Sequence, residues 1–441
     1  RMLVNLAAVL GGSKSMLALS VIIVATLIAA STGIIGATIV MLGLIALPAL
    51  LNAGVPRRMA SGLVCASGTL GQIIPPSIVL ILLGDQISNA YIEAQRAAGN
   101  FAPDPVSVGD LFAGALLPGL VLVALYSIYV VGRLSFASEP ISDQPVMESQ
   151  VPMVDGSVWQ LLKDALPPIL LIIAVLGSIL MGVATPTEAA AVGVCGALLL
   201  AATVLAEDSK VVVRLMQGAA LAAFGLVVLK SFSRVKLDVT SAGGGLSPAT
   251  IVAIVLVTIL LCGLVCAAVV LWRKTVLNQV LASTVEISAM IFGIIIAASM
   301  LSLVFRGFGG DEVAHAVLTS VPGGQWGILF ATMLLIFALG FVLEFVEIVF
   351  IVIPIIGPVL LATDFHPVWF AILVALNLQT SFLTPPFGFS LFYFRSVAPD
   401  SISTVDIYFS IIPFVVIQLI TLAIVIAFPG LATWLPSVLF G

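Results

Sequence analysis

Charged side chains are scarce in this sequence: Lys, Arg, Asp and Glu make up 8% of 441 residues, whereas hydrophobic residues make up 61%. A soluble globular domain carries about 25% charged and about 45–50% apolar residues, so the composition excludes one. The apolar runs repeatedly approach the ~20 residues with which an α-helix crosses a hydrocarbon core, and they lack the alternation of barrel strands. The chain is therefore predicted to be an all-α polytopic membrane protein in a lipid bilayer.

Histidine is scarcer still, with 2 residues and no HExxH motif, which excludes a zinc metalloprotease of that class. Both histidines, His315 and His366, lie near predicted loops. Because the sequence also lacks a GxGD motif and a Ser/His dyad, it does not favour an intramembrane enzyme. No sustained basic stretch is present, so no nucleic-acid partner is predicted.

Cysteine is rare as well: the 4 residues all lie inside apolar segments, where Cys behaves as a small hydrophobe. Neither a disulfide framework nor a cysteine metal site follows. The chain begins at Arg1 without a signal-peptide pattern, so we expect further residues to precede it.

Hydropathy divides the sequence into apolar segments, two pairs of which look too short to cross the membrane. These pairs, 17–30 with 37–53 and 327–342 with 348–363, are predicted to be re-entrant hairpins with the tips STGIIG and LEFVEI. The other predicted segments are 59–88, 111–131, 166–183, 186–206, 215–229, 249–271, 281–304, 367–396 and 408–428.

The positions of basic residues predict the sides of the two hairpins. Lys14 and Arg57–Arg58 flank the first hairpin, which puts its ends in the cytoplasm by the positive-inside rule. The second hairpin has no Lys or Arg at its flanks, and five predicted crossings separate it from the cytoplasmic Arg133. An odd number of crossings predicts opposite faces, although the basic loop with Lys230, Arg234 and Lys236 then lies outside.

A Pro-Pro pair interrupts an apolar segment in each half, at Pro75–Pro76 and Pro385–Pro386, and 385 − 75 gives an offset of 310 residues. The same offset relates Pro48 to Pro358. After the Pro-Pro pairs, Asp110 of the first half corresponds to Asp406 of the second, once a 14-residue insert in the first half is allowed for. The insert is predicted to be the polar loop at 89–105. Each half thus reads as hairpin, broken helix and plain helix, which predicts inverted repeats. Prolines that only kink helices are the alternative.

A broken helix exposes backbone N–H groups at one end and C=O groups at the other; the former suit a carboxylate and the latter suit Na⁺. Hydroxyl and amide side chains near the breaks would complete such sites, unless each hydroxyl bonds its own helix instead. The candidates of the first half are Ser31, Thr32, Gly33, Gly36, Ser67, Gly68, Thr69, Gly71, Gln72 and Ser77. Those of the second half are Asn377, Gln379, Thr380, Ser381, Thr384 and Gly388.

Two glutamates at the second tip need a separate interpretation. Glu344 and Glu347 are ionisable groups inside an apolar hairpin, and such groups are functional candidates because burying a charge in the membrane is costly. They are predicted to bind a cation or accept a proton, with structural pairing or exposure to water as the alternative. Glu188 follows Pro186 at a helix start, so helix capping is its predicted role.

Four motifs in order carry a resemblance over nearly the whole chain. They are STGIIGATIVMLGLIALPALLNAG, ASGTLGQIIPPSIVLILLGDQ, GVATPTEAAAVG and LNLQTSFLTPPFGFSLFYFRSVAP. Together they resemble the large membrane subunit of tripartite ATP-independent periplasmic (TRAP) transporters, in the branch for mannitol, chloroaromatic and other carboxylate substrates.

The resemblance implies Na⁺-coupled import of an organic acid by an elevator mechanism in the bacterial inner membrane. It implies two partners, a periplasmic substrate-binding protein and a small four-helix membrane subunit. One Na⁺ site would lie between the tip at 31–36 and the break at 67–76, and a second between the tip at 341–347, with Glu344 and Glu347, and the break at 377–386. Substrate would lie between the halves, near Gln72, Pro75, Pro76, Ser77, Pro385, Pro386 and Gly388.

Three departures from the family pattern accompany the resemblance. The family's first helices are absent before Arg1, the first tip lacks the serine-rich pattern, and residues 207–274 look like a two-helix insertion. The predicted organisation is a first repeat at 1–131 (hairpin 17–53, broken helix 59–88), connecting helices at 132–280 and a second repeat at 281–428 (hairpin 327–363, broken helix 367–396). A stand-alone anion/Na⁺ symporter or Na⁺/H⁺ antiporter of the same superfamily is the alternative function.

Overall fold

The computed structural model describes residues 6, 13–136, 158–206, 209–232, 248–386 and 388–440, and all regular secondary structure in these ranges is helical. The predicted all-α class is thereby confirmed. Seven of the described helices are at least 18 residues long and apolar enough to cross a membrane. The chain divides into two compact units, one formed by Arg1–Leu166 with Gly293–Gly441 and the other by Pro167–Phe292.

The first half of the larger unit is a hairpin, a broken helix and a plain helix. Its helices are α1 (Lys14–Thr32), α2 (Ile35–Asn52), α3 (Arg57–Thr69), α4 (Ile78–Ala97) and α5 (Val108–Phe136). α1 and α2 pack side by side and are joined by residues 33 and 34, the first tip. α3 runs into a 3₁₀ turn and ends before residues 73–77, the first break. Proline lacks an N–H group and disfavours helical geometry in the preceding residue, so Pro75–Pro76 ends the helix.

The smaller unit is built from long apolar helices that follow one another along the chain. Its helices are α6 (Val158–Leu180, which begins in the larger unit), α7 (Pro186–Leu205), α8 (Lys210–Phe232), α9 (Pro248–Arg273) and α10 (Val276–Gly307, which ends in the larger unit). α7, α8 and α9 share a core that includes Leu199, Met216 and Leu271. α8 and α9 correspond to the predicted insertion at 207–274, whose status as an insertion stays a prediction.

Glu188 caps α7, as the sequence predicts. The Thr185 Oγ1 atom accepts from the Glu188 backbone N–H, and the Glu188 carboxylate accepts from the Thr185 N–H at 2.8 Å. This reciprocal capping box satisfies two N–H groups that a helix start leaves without partners.

The second half of the larger unit repeats the order of the first. Its helices are α11 (Gly310–Thr319), α12 (Gly324–Leu339), α13 (Phe345–Leu361), α14 (Pro367–Leu383), α15 (Phe389–Arg395), α16 (Thr404–Ala427) and α17 (Gly430–Phe440). α12 and α13 form the second hairpin around residues 340–344, the second tip, and α13 contains a π turn at Ile348–Val352. Residues 384–388, the second break, separate α14 from α15.

Three details of the predicted organisation are wrong. The insert at 89–105 is not wholly a loop, because α4 continues to Ala97 and has 20 residues where α15 has 7. The two short helices α11 and α17 are missing from the predicted segments. The length argument for the first hairpin fails because α2 has 18 residues, or about 27 Å, and is long enough to be a candidate span.

The two halves contact each other through equivalent positions. The 310-residue offset relates Gly62 to Ile372, and the 296-residue offset that aligns the plain helices α5 and α16 relates Gly114 to Ser410. A Cβ atom added at Gly62 would overlap the Ser410 carbonyl, and one added at Gly114 would lie 3.6 Å from Ile372 Cγ1. Each broken helix therefore packs on the plain helix of the other half.

Charged groups at the helix starts also interact between the broken helix of one half and the plain helix of the other. Arg58 of α3 donates to Asp406 of α16 at 2.9 Å, and this pair is exposed. In the other half, burial lowers the pKa of His366, and the Asp110 carboxylate of α5 partly offsets this effect. The helix order thus supports a repeated architecture, whereas the opposite sidedness of its halves stays a prediction.

Candidate functional site

The first tip and the first break lie against each other. A Cβ atom added at Gly33, which has a φ of +62°, would lie 3.3 Å from the Ile78 side chain at the start of α4. Gly68, near the end of α3, faces Ile39 of α2, and Gly71 faces Ala29 of α1 at 3.4–3.6 Å. The hairpin thus covers the end of the broken helix, whereas the first ion site stays a prediction.

The second tip lies against the end of α14 in the same manner. A Cβ atom at Gly340 would overlap the Ser381 hydroxyl and lie 2.7 Å from Ser381 Cβ. Asn377 also reaches the second hairpin, because its amide nitrogen donates to the Met333 carbonyl of α12 at 2.7 Å. Position 381 is the 310-residue equivalent of Gly71, so in both halves the hairpin contacts the same place on a broken helix.

A side-chain hydrogen bond joins the ends of the two broken helices. Gln379 Nε2 donates to Thr69 Oγ1 at 3.2 Å, and both residues are fully buried. The two residues are 310 positions apart, so the bond joins equivalent positions of the two halves. The two predicted ion sites are therefore adjacent parts of one buried polar region.

The predicted hydroxyl ligands are mostly occupied by their own helices. Thr69 donates to Ala66, Thr380 to Leu376, Ser381 to Leu378 and Thr384 to Thr380, all to carbonyl oxygens at 2.7–2.8 Å. The hydroxyl protons of these four residues are thus bonded within their own segment of chain, which was the alternative to ion binding. Each oxygen keeps lone-pair capacity for a cation, because a hydroxyl accepts as well as donates.

Other polar atoms are buried without a hydrogen-bond partner among the described residues. In the hairpins and broken helices they are Ser61 Oγ, Ser67 Oγ, both side-chain polar atoms of Gln72, Gln379 Oε1, Glu347 Oε2, Thr332 Oγ1 and Ser390 Oγ. Unpaired buried polar atoms are rare in folded proteins, and each calls for an explanation such as a ligand, ion or water. Several of these atoms lie at the two breaks, so the breaks are a candidate binding region, and their role as the site stays a prediction.

The two breaks differ in exposure. Pro75 is buried and Pro76 half-buried, and Ser77 Oγ donates to the Gln72 carbonyl across the first break at 2.8 Å. Pro385 is half-buried, whereas Pro386 is exposed and its carbonyl accepts from the Tyr408 hydroxyl at 3.0 Å. The second break is therefore less covered by the rest of the chain than the first.

Gly388, the last residue of the second break, lies close to the backbone at the end of α14. An added Cβ atom there would lie 2.8 Å from the Phe382 carbonyl oxygen. The side chains of Ser31 and Thr32 and the whole of Phe387 lie outside the described residues, so the predictions for Ser31 and Thr32 stay predictions.

The charges of the site are all negative. Residues 29–36, 67–78, 340–347 and 377–393 contain Glu344 and Glu347 but no Lys, Arg or His, and Arg395 at the end of α15 donates to the Ile402 carbonyl at 2.6 Å. Glu344 precedes the first residue of α13, and Glu347 lies in its first turn. A helix start favours negative charge, yet two carboxylates without a basic partner also favour a bound cation.

Three residues of the candidate region, Tyr393, Thr332 and Ser390, have no counterpart among the sequence predictions. Tyr393 lies on α15, and a Cβ atom added at Gly36 would lie 2.8 Å from two of its ring atoms. The first hairpin thereby contacts the second broken helix. An isolated tyrosine eight positions after a Pro-Pro pair was the available signal, but its contact with Gly36 depends on the tertiary fold. Thr332 and Ser390 were missed as well.

The family profile and the individual relatives that match this chain agree on one family. The profile described as tripartite ATP-independent periplasmic transporter, DctM component, matches residues 1–271 and 239–431. The C4-dicarboxylate TRAP transporter large permease protein DctM of Rhodobacter capsulatus is 24% identical over 439 residues, covering 100% of this chain and 82% of that protein. That of Vibrio cholerae serotype O1 is 26% identical over 436 residues, with 98% and 80% covered. The ectoine TRAP transporter large permease protein TeaC of Halomonas elongata is 24% identical, with the same coverage.

Proposed function

This chain belongs to the family of DctM components of tripartite ATP-independent periplasmic transporters, and on that premise we propose that it imports an organic acid in symport with Na⁺. It is an integral inner-membrane protein and a transporter rather than an enzyme. Relatives are named for C4-dicarboxylate, ectoine and sialic acid transport, which supports a carboxylate as the substrate class.

The observation that supports coupling to Na⁺ is a set of buried oxygen atoms at the tips and breaks that form no hydrogen bond with other described residues. Glu347 Oε2 and Ser67 Oγ are buried and unpaired among the described residues. Na⁺ is a hard cation that binds carboxylate, hydroxyl and carbonyl oxygens, and half-helix ends in transporters supply such carbonyls. A cation there would pair with the carboxylate in a region that has no basic side chain.

The proposed partners follow from the three-part architecture in the family name. A periplasmic binding protein would deliver the acid, and a small membrane subunit of four helices would complete the membrane part. We further propose an elevator mechanism, in which the two hairpins and two broken helices move as one body. The contacts of Gly33 with Ile78, of Gly340 with Ser381 and of Gln379 with Thr69 support this, because they join all four elements.

Uptake into proteoliposomes tests this proposal. With the binding protein and the small subunit present, we expect an inward Na⁺ gradient to drive uptake of the acid and an equal K⁺ gradient not to. Equal uptake in K⁺ refutes Na⁺ coupling. Uptake that does not require a binding protein favours the alternative, a stand-alone anion/Na⁺ symporter or a Na⁺/H⁺ antiporter.

The substitution Glu347→Gln tests the ion site. Removing a charged ligand that contributes about 1.5–3 kcal/mol is expected to raise the Na⁺ concentration for half-maximal uptake by roughly 10-fold or more. Glu286→Gln is the matched control, because Glu286 is exposed on α10. An unchanged Na⁺ dependence in Glu347→Gln, with normal amounts of folded protein, rejects this residue as a ligand.

A further inference from the structure

The hydrogen bond between Thr69 and Gln379 joins two groups that are fixed in place. Thr69 Oγ1 gives its own proton to the Ala66 carbonyl at 2.8 Å, so its lone pairs are free to accept from Gln379 Nε2 at 3.2 Å. Both side chains are fully buried, and this bond is the one that the Gln379 side chain forms with described residues. Because solvent reaches neither group, separating them leaves a buried donor unpaired, which is unfavourable.

The first hairpin contacts the broken helix on both sides of Thr69. Gly68 and Gly71 lie one residue before and two residues after it. A Cβ atom added at Gly68 would overlap the Ile39 side chain of α2, and one added at Gly71 would lie 3.5 Å from Ala29 Cβ of α1. The position of Thr69 therefore depends on the position of the first hairpin.

The second hairpin holds Gln379 in the same way. Asn377 Nδ2 donates to the Met333 carbonyl of α12 at 2.7 Å, and a Cβ atom added at Gly340 would lie 2.7 Å from Ser381 Cβ. Asn377 and Ser381 lie two residues before and two residues after Gln379. A movement of the second hairpin therefore shifts the Gln379 end of the hydrogen bond.

The two hairpins that this bond connects differ in charge. Residues 340–347, around the second tip, include Glu344 and Glu347, whereas residues 29–36, around the first tip, contain no acidic side chain. A carboxylate attracts a cation more strongly than a neutral oxygen does. Under the proposed function, the second ion site should therefore fill at a lower Na⁺ concentration than the first, unless the two sites are linked.

We propose that Gln379 is a positioning residue that couples the two ion sites through its hydrogen bond to Thr69. Na⁺ at the second tip fixes the end of α14 and so holds the Gln379 amide on Thr69. Less ordering then remains when Na⁺ binds at the first break, so the affinity there rises. The inference rests on the proposed symport with Na⁺ and goes beyond it, because it assigns the cooperativity between the sites to one hydrogen bond.

Hydrogen–deuterium exchange followed by mass spectrometry reads the two tips separately. The purified protein with its small subunit is titrated with NaCl, with KCl keeping the ionic strength constant. The Na⁺ concentration for half-maximal protection is measured for the backbone amides of residues 33–36 and of residues 340–347. In the parent protein, both tips should become protected over one range of Na⁺ concentration, with a Hill coefficient above 1.

Gln379→Met nearly keeps the size of the side chain but removes the amide. It should raise the half-maximal Na⁺ concentration at the first tip by about 3- to 10-fold and leave that at the second tip within about 2-fold. An effect at the tip of the other half is not expected from a purely local role. Thr69→Ser keeps the hydroxyl and should behave as the parent protein does. In a Thr69→Val background the bond is already absent, so adding Gln379→Met should not weaken the first site further.

Gln418→Met is the matched control, because Gln418 is also a fully buried glutamine of the second half but lies on α16. It should leave both half-maximal concentrations unchanged. Equal first-tip values for Gln379→Met and the parent protein overturn the inference, as does an equal rise at both tips or a further loss in the Thr69→Val background. Failure of the proposed function is distinguishable: Na⁺ then protects neither tip and drives no uptake by the parent protein, and the inference falls with it.

Discussion

The contact between α3 and α16 at Gly62 gives a sharp test of the packing between the two halves. An alanine Cβ at this position would overlap the Ser410 carbonyl oxygen, lie 2.8 Å from the Ser410 carbonyl carbon and lie 2.9 Å from Phe414 Cε2. Ordinary contacts of a Cβ atom begin at 3.4 Å. Two of these three atoms belong to the backbone of another helix, so no rotamer change removes the overlap. Gly62→Ala must push α3 away from α16.

The cost of this displacement follows from two opposing terms. Overpacking a well-packed interior by a methyl group costs about 1–3 kcal/mol, and a backbone neighbour puts Gly62→Ala at the upper end. Alanine is favoured over glycine in a helix by up to about 1 kcal/mol, which offsets part of the cost. We therefore expect a net destabilisation of about 2 kcal/mol, or a factor of about 30 in the unfolding equilibrium.

Thermal unfolding in detergent, followed by tryptophan fluorescence, measures this effect. Gly62→Ala should melt several degrees below the parent protein. Gly132→Ala, on α5, is the control, since an added Cβ there meets nothing within 4 Å and only the helix-propensity gain remains. Equal melting temperatures for Gly62→Ala and the parent protein would refute the close packing of α3 on α16 and, with it, the exchanged contacts between the halves.

Two further substitutions test other parts of the fold. Gly340→Ala places a methyl group on Ser381 at the second tip, so the initial rate of uptake in proteoliposomes should fall several-fold. Gly293→Ala is the control and should transport normally, because an added Cβ there meets nothing within 4 Å. Full uptake by Gly340→Ala would contradict the contact with Ser381. Thr185→Ala removes the α7 capping box and should cost about 1 kcal/mol of stability without changing uptake per folded molecule. Glu188→Gln preserves a capping box and should be milder; equal melting of Thr185→Ala and the parent protein would contradict the capping role.

Local chemistry made the breaks and tips predictable. Pro75–Pro76 and Pro385–Pro386 follow helix ends, because proline removes an N–H group and restricts its neighbour. The pair alone is not decisive, since Pro167–Pro168 lies inside α6. The shared offset of the first two pairs then located the hairpins that cover them. The first tip, predicted at 31–36, is observed at residues 33 and 34. Other helix ends differ more: α4 ends at Ala97 where the prediction ended at 88, and α6 begins at Val158 where the prediction began at 166.

Some features were missed or wrong because the local composition was misleading, and others because they depend on tertiary contacts. α11 has 10 residues and charged side chains at its start, so its hydropathy gives no span. The polar stretch at 89–97 continues α4 because its helix-favouring Ala, Glu, Gln and Arg residues have no proline until residue 103. Which hydroxyls bond their own helix, and that Tyr393 meets Gly36, depends on the approach of distant segments, and no local pattern records this.

Electrostatics gives a reason for an acid and a cation to bind together at this site. Glu344 and Glu347 have no basic side chain in the tips and breaks, and a substrate carboxylate adds a third negative group to the same low-dielectric region. On the proposed function, Na⁺ relieves this repulsion, so each ligand raises the affinity for the other by the same factor. In that proposal the cation supplies the compensation that a lysine or arginine would give elsewhere. Coupling to Na⁺ is, in this view, a consequence of an anion site built without a fixed positive charge.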